Sequence, residues 1–71
     1  MPNDDSQVLA AVDYTAQQDR RIRDDIKKAI DSHDRDFFEQ VVLNVLARLH
    51  RTVKDVTRFM DSAYEWFRSR L

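Results

Sequence analysis

The feature that most constrains the fold is a continuous apolar stripe in the C-terminal half of the chain, from Phe37 to Leu71. Projected at about 100° per residue, its apolar side chains fall within one half of a helix circumference. No Gly or Pro interrupts the segment. Since such a face is wider than one neighbouring helix can cover, the pattern predicts an all-α protein that needs a further helical surface. It names no reaction and no ligand.

The length of the chain supports the same expectation. Its 71 residues are enough for a single small helical domain, residues 1–71, near the size at which one core only marginally offsets chain entropy. Cysteine is absent, which excludes disulfides and thiolate metal sites. Because oligomerisation is the usual remedy for so small a core, we expect a homodimer that assembles as a four-helix-type bundle. A different protein partner is the alternative.

The N-terminal half predicts one helix and a turn. Cap residues, acidic charge and a sparse apolar stripe place the first helix at about residues 5–31. The segment 31–36 contains several cap residues and no strong helix former, so we expect the turn there. Asp36 with Glu39 resembles a capping box for the next helix, and Asp34 is an alternative cap.

The second helix is expected to run over residues 34–70, giving a helical hairpin with a long second arm. A break near residue 51 is the alternative, because Thr52 and Asp55 have capping-box spacing and would start a third helix at Val53. The apolar arcs before and after this point coincide when the helix is run straight through. We therefore favour the continuous helix.

The hairpin register predicts where a partner should bind. In an antiparallel hairpin with its turn at residues 32–33, the first helix ends beside about Thr57. The last turns of the second helix then have no cover from their own chain, which is typical of a partner surface. The partner-binding residues predicted in this way are Phe59, Met60, Ala63, Tyr64, Trp66, Phe67 and Leu71. If Trp66 is water-exposed in the assembled protein, the interface lies nearer Phe37 and Val41.

Asp19 is the one polar residue in the middle of the first helix's apolar stripe. The hairpin register puts it level with Leu46 and close to Arg48, so we expect a partly buried Asp19–Arg48 pair that fixes register more than it adds net stability. The alternative is that Asp19 points to water across a local loosening of the first helix.

The residues give no sign of catalysis or of a metal site. Carboxylates are frequent but nothing indicates a cleft, no Ser lies in an elbow motif, and the absence of Gly precludes phosphate-cradling loops. His33 lies among acidic residues in the turn, yet the segment lacks the glycine and terminal glutamate of a calcium loop. We expect no enzyme activity, no catalytic residue, no metal and no cofactor.

Localisation follows from what the segments lack. The N-terminal residues show no basic n-region or apolar h-region, and no stretch approaches about 18 consecutive apolar residues. We expect a cytoplasmic protein without a membrane partner. The net charge of −1 also argues against a nucleic-acid partner.

Two classes of function remain. The first is a non-enzymatic, homodimeric adaptor, regulator or inhibitor that acts through the aromatic C-terminal helix face. The second is a DNA-binding transcriptional regulator, because residues 52–70 loosely resemble a helix-turn-helix whose recognition helix begins near Ser62. The salt dependence of any DNA binding separates the two classes.

Overall fold

The computed structural model describes residues 4–71 and contains, within that range, four α-helices and no strand. They are α1 (Asp4–Gln18), α2 (Arg20–Asp31), α3 (Arg35–Arg48) and α4 (Val56–Arg70). The all-helical class is therefore confirmed. The hairpin is wrong in detail, because each of its two predicted helices is divided into two.

The first division lies at Asp19, so the continuous helix predicted for residues 5–31 is wrong. Asp19 has an extended backbone, with φ −125° and ψ 103°, and its carboxylate accepts hydrogen bonds from the amides of Arg21 and Ile22. This is N-cap geometry, in which a side-chain oxygen satisfies amides that have no partner within the helix. The polar residue in the apolar stripe thus marks a new helix start.

The second division is the connection 49–55, so the continuous helix predicted for residues 34–70 is also wrong. The alternative, a break near residue 51, is confirmed, but the new helix begins at Val56 and not at Val53, because Asp55 caps α4 and accepts from the amide of Arg58 at 3.1 Å. The connection has seven residues, and seven residues at 100° each return to within about 20° of the starting rotation. The two apolar arcs therefore coincide whether or not the helix continues.

A histidine in the left-handed region follows the C-cap residue of both α2 and α3. These residues are His33, with φ 56°, and His50, with φ 55°. After α3, the amide of His50 donates to the carbonyl of Ala47, and the amide of Arg51 donates to that of Leu46. The equivalent bonds follow α2, so both ends are Schellman motifs. Glycine usually occupies this position, but the chain contains none, and histidine tolerates the conformation better than most residues.

The turn between α2 and α3 lies within the predicted segment 31–36, which is confirmed. Its cap is the predicted alternative, since the Asp34 carboxylate accepts from the amide of Phe37 at 2.9 Å. Asp36, the favoured cap, lies instead in the first turn of α3.

All four helices contribute to one hydrophobic core. Its buried side chains are Val8, Val12 and Ala16 from α1, Ile26, Ala29 and Ile30 from α2, Phe38, Val41, Val42, Val45 and Leu46 from α3, and Phe59, Met60, Ala63, Tyr64 and Phe67 from α4. The connection 49–55 brings α4 back onto α2 and α3 instead of letting it project beyond them. Among residues 4–71, no helix combines the length and the apolar character required to cross a membrane.

Candidate interaction surface

The predicted partner-binding residues lie mostly inside the chain's own core. Phe59, Met60, Ala63, Tyr64 and Phe67 are all buried, with Phe59 only 1% exposed. The expectation that they have no intramolecular cover is wrong, because it assumed an unbroken helix that extends beyond its neighbour. Of the predicted set, Trp66 is half-buried and Leu71 is 44% exposed, so these two keep accessible surface.

An aromatic cluster fastens the start of α3 to α4. The ring of Phe38 meets Tyr64 nearly edge-on, with centroids 5.2 Å apart at 86°, and it lies 6.2 Å from Phe67. These geometries are favourable for aromatic pairs. At the surface, the guanidinium of Arg35 lies 4.3 Å from the centre of the Tyr64 ring and forms an ion pair with Asp61. The aromatic segment therefore stabilises this chain's own fold.

Trp66 packs at the edge of the core. The guanidinium of Arg70 lies over its ring at 4.0 Å, close enough for a cation–π interaction. The indole N–H is buried and has no hydrogen-bond acceptor among the residues that the structure describes. Arg70 is thus held in one place on the surface by an aromatic support.

The structure brings Asp19 and Arg48 together, with Arg48 Nη1 3.3 Å from Asp19 Oδ2. The Asp19 side chain is 32% exposed and that of Arg48 is 61% exposed. Partial desolvation raises the pKa of Asp19, but the amides of Ile22 and Arg21 together with Arg48 outweigh it and hold the pKa below 3.8. Both sequence alternatives describe part of the geometry, since Asp19 forms the pair at a helix break. Their energetic coupling stays a prediction.

An uncharged stripe on α3 is the feature that the hairpin prediction missed. It consists of Gln40, Leu43, Asn44 and Ala47, which are exposed and follow one helical face at spacings of three and four. Leu43 is 39% exposed. The sequence carried a signal for it, because residues 40–47 contain no charge although 35% of the chain is charged.

The charges beside the uncharged stripe are separated by sign. Asp36 and Glu39 flank its N-terminal end, and Arg48 and Arg51 flank its C-terminal end. Asp36 and Arg51 are exposed, and Glu39 is half-buried. A helix face with an acidic end and a basic end is complementary to the same face turned through 180°.

The predicted helix-turn-helix in residues 52–70 is not formed. Ser62, its expected start of a recognition helix, lies within α4, which runs without interruption from Val56 to Arg70. The described helices joined by a short turn are α2 and α3, separated by residues 32–34. The start of α3 carries Asp34 and Asp36, whose charges oppose the approach of DNA phosphates.

Potential metal ligands do not converge in the described part of the chain, where no group of three or more His, Asp or Glu side chains could hold an ion. His33 occupies the left-handed position at the end of α2, and Asp34 caps α3, so both have a structural role in the turn.

No family model matches the chain, and comparison with curated proteins and with solved structures gave no significant match either. Inference about function therefore rests on the residues of this chain.

Proposed function

We propose that the protein is a non-enzymatic interaction protein that forms a homodimer through the uncharged stripe of α3 and acts as a small adaptor, regulator or inhibitor. The observation that carries the proposal is the charge pattern of α3. The exposed residues of α2 are all charged, whereas the stripe on α3 is uncharged and includes a part-exposed leucine. The exposed residues of α1 are uncharged as well, but α1 lacks the oppositely charged ends that flank the stripe. Depletion of charge at the centre with polar residues at the rim is typical of protein interfaces.

Charge complementarity selects a second copy as the partner. In an antiparallel contact centred between Leu43 and Asn44, Gln40 faces the copy's Ala47, and the acidic end of the stripe lies level with the basic end of the copy. The exposed Asp36 then approaches the end of the copy that carries Arg51. The two helix dipoles also run in opposite directions, which favours the same arrangement.

The dimer should be weak. A contact between two single helices buries less than the roughly 800 Å² per partner of a standard stable interface. Each chain already covers its own core, so association adds to a folded monomer and does not create the fold. We expect dissociation in the micromolar range or weaker.

The test is sedimentation equilibrium over a dilution series, with Leu43→Lys as the disrupting variant and Tyr14→Lys as its control. Tyr14 is 64% exposed on α1, a different helix from the one that carries the stripe. Leu43→Lys should weaken self-association at least about tenfold, because it places like charges opposite each other in a two-fold contact. Tyr14→Lys should leave it unchanged. A mass of 8.5 kDa at every concentration contradicts the proposal.

DNA binding through α2 and α3 is the second candidate, and the short turn of residues 32–34 is the observation that favours it. The acidic start of α3 disfavours it, so we expect no shift of duplex DNA even at low salt. A shift that weakens steeply with added salt supports the second candidate, because counterion release drives such binding.

A further inference from the structure

A groove lies outside the α3 surface described above, since no residue of α3 lines it. Its volume is about 440 Å³, and its walls come from the end of α1, the first half of α2 and the end of α4. Ala16, Ile26 and Phe67 belong to its lining but are buried in the core, so they expose little apolar area. Leu71 is 44% exposed and adds an apolar edge to a wall that is otherwise polar.

The two basic residues among the lining of this groove are Arg23 and Arg70. No carboxylate among the described residues forms an ion pair with either of them. Arg70 is positioned by its contact with the Trp66 ring at 4.0 Å, which reduces the entropy that a ligand must remove when it binds. The two arginines that line the groove therefore carry N–H donors that no carboxylate of the described residues receives in an ion pair.

The groove also contains one acidic side chain, that of Asp13, whose partner Gln17 lines the same groove. The Asp13 carboxylate accepts a hydrogen bond from the side-chain amide of Gln17 at 3.2 Å. An adjoining groove of about 440 Å³ shares Gln17 and Arg23 and is also lined by Arg20 and Lys27. Across the two grooves the lining bases outnumber the acids, four to two, the second acid being Asp24; of the four bases, Lys27 forms an ion pair with Asp31. Field lines concentrate in such concave surfaces and attract anions.

We propose that this groove binds the phosphate group of a small ligand between Arg23 and Arg70. A guanidinium group binds an oxyanion through two parallel hydrogen bonds. Two guanidinium groups therefore favour an anion with more than the two oxygens of a carboxylate. A phosphate carries a charge of about −1.5 to −2 at pH 7 and three acceptor oxygens, which matches two cations better than a carboxylate does. Asp13 lies in the same groove and weakens the binding through like-charge repulsion.

The experiment titrates the intact protein with inorganic phosphate and with pyrophosphate at constant ionic strength, and follows backbone amide resonances and Trp66 fluorescence. Saturable shifts should map to the residues around Arg23 and Arg70. Trp66 emission should change with the same midpoint, because a bound anion places a negative charge beside the Arg70 guanidinium that lies over the indole ring. Acetate is the competing probe, and affinity for acetate equal to that for phosphate overturns the choice of ligand.

Variants separate this site from diffuse surface charge. Arg23→Gln and Arg70→Gln should each weaken binding about tenfold or more, the effect expected of a lost charge-assisted hydrogen bond. Arg58→Gln removes the same charge from α4 outside the groove and should have no effect. Asp13→Asn should strengthen binding, a gain that misfolding cannot produce, and circular dichroism checks the helix content of each variant.

Three results overturn the proposal. The first is a response to phosphate that does not saturate. The second is a loss of affinity in Arg58→Gln as large as that in Arg23→Gln. The third is a fall in affinity in a folded Asp13→Asn protein.

Discussion

Asp19 combines two tasks in one side chain, because it caps α2 and also contacts Arg48 of α3. The capping oxygen is Oδ1, and Oδ2 receives the guanidinium. The carboxylate therefore fixes both where α2 begins and where α2 lies against α3. A neutral residue of the same shape, asparagine, can keep the cap and lose most of the ion pair.

A double-mutant cycle with Asp19→Asn and Arg48→Gln should reveal favourable coupling at neutral pH. The folded-state pKa of Asp19 is below its ordinary value, so its contribution to stability is present above the pKa of the unfolded chain and is lost as the pH falls through the folded-state pKa. The coupling should therefore disappear in strong acid. Urea denaturation of the four proteins at several pH values measures it.

Additive effects of the two substitutions at neutral pH would mean that the surface pair contributes nothing. That outcome is common for exposed ion pairs, whose net contribution is small. Lys27→Gln with Asp31→Asn, an exposed pair within α2, provides the comparison.

The two histidines with positive φ, His33 and His50, should not tolerate a β-branched residue. His33→Val and His50→Val should each lower the free energy of unfolding by about 1–2 kcal/mol, because a β-branched side chain clashes with the backbone at positive φ. Glycine at either position should be tolerated. Lys28→Val is the control, since Lys28 is exposed within α2 and a β-branched residue there costs only a few tenths of a kcal/mol. A similar loss in all the valine variants contradicts the prediction.

At the scale of elements, the sequence predicted helix content and the turn before α3 but not the breaks. Periodicity reports which residues share a face, and an interruption of seven residues leaves that face almost unchanged. The positions of the breaks are determined by the N-cap residues. Asp19, Asp34 and Asp55 cap the last three described helices, and only the hydrogen bonds that their carboxylates accept from nearby amides distinguish them from the other aspartates.

The candidate surface was missed for the same reason. A long second helix leaves its aromatic end uncovered, so the argument from coverage pointed to Trp66 and Phe67. Once α4 turns back, those side chains have intramolecular neighbours. The uncharged residues 40–47 were visible in the sequence, but they only become a surface feature when the helices are placed.

The start of α4 is tested by comparing Asp55→Ala with Thr52→Ala. Asp55→Ala should destabilise the protein by about 1 kcal/mol, the usual cost of removing an N-cap side chain. Thr52 lies in the connection and caps no helix, so Thr52→Ala should change stability by less than about 0.5 kcal/mol. Thermal unfolding monitored by circular dichroism checks both. The reverse order would move the start of α4 toward Val53.

At the scale of the whole molecule, the dimensions fit a chain that covers its own core. The radius of gyration is 11.1 Å, and a compact chain of this length is expected to have about 11 Å. The wide apolar face of residues 37–71, which suggests an obligate partner, is covered by the other helices of the same chain. Any assembly through α3 therefore starts from a folded monomer.

Trp66 fluorescence tests this distinction. Because the indole packs against the core of its own chain, its emission should be blue-shifted and should not change on dilution through the monomer–dimer transition. Leu43→Lys should leave the emission unchanged, whereas Phe59→Ala should cost about 3–5 kcal/mol and shift the emission to the red by unfolding the protein. A red shift on dilution of the wild-type protein would place Trp66 at the interface between copies.

The absence of glycine affects the unfolded chain as well as the two histidine turns. A residue with a Cβ samples fewer backbone conformations than glycine, so ordering it costs less entropy. In a chain of 71 residues with no glycine, that saving applies at every position, including the two left-handed ones. The conformational strain at each histidine is local, and the restriction of the denatured ensemble is global. Part of this protein's free energy of unfolding therefore comes from the low conformational entropy of its unfolded chain, in which none of the native contacts exist.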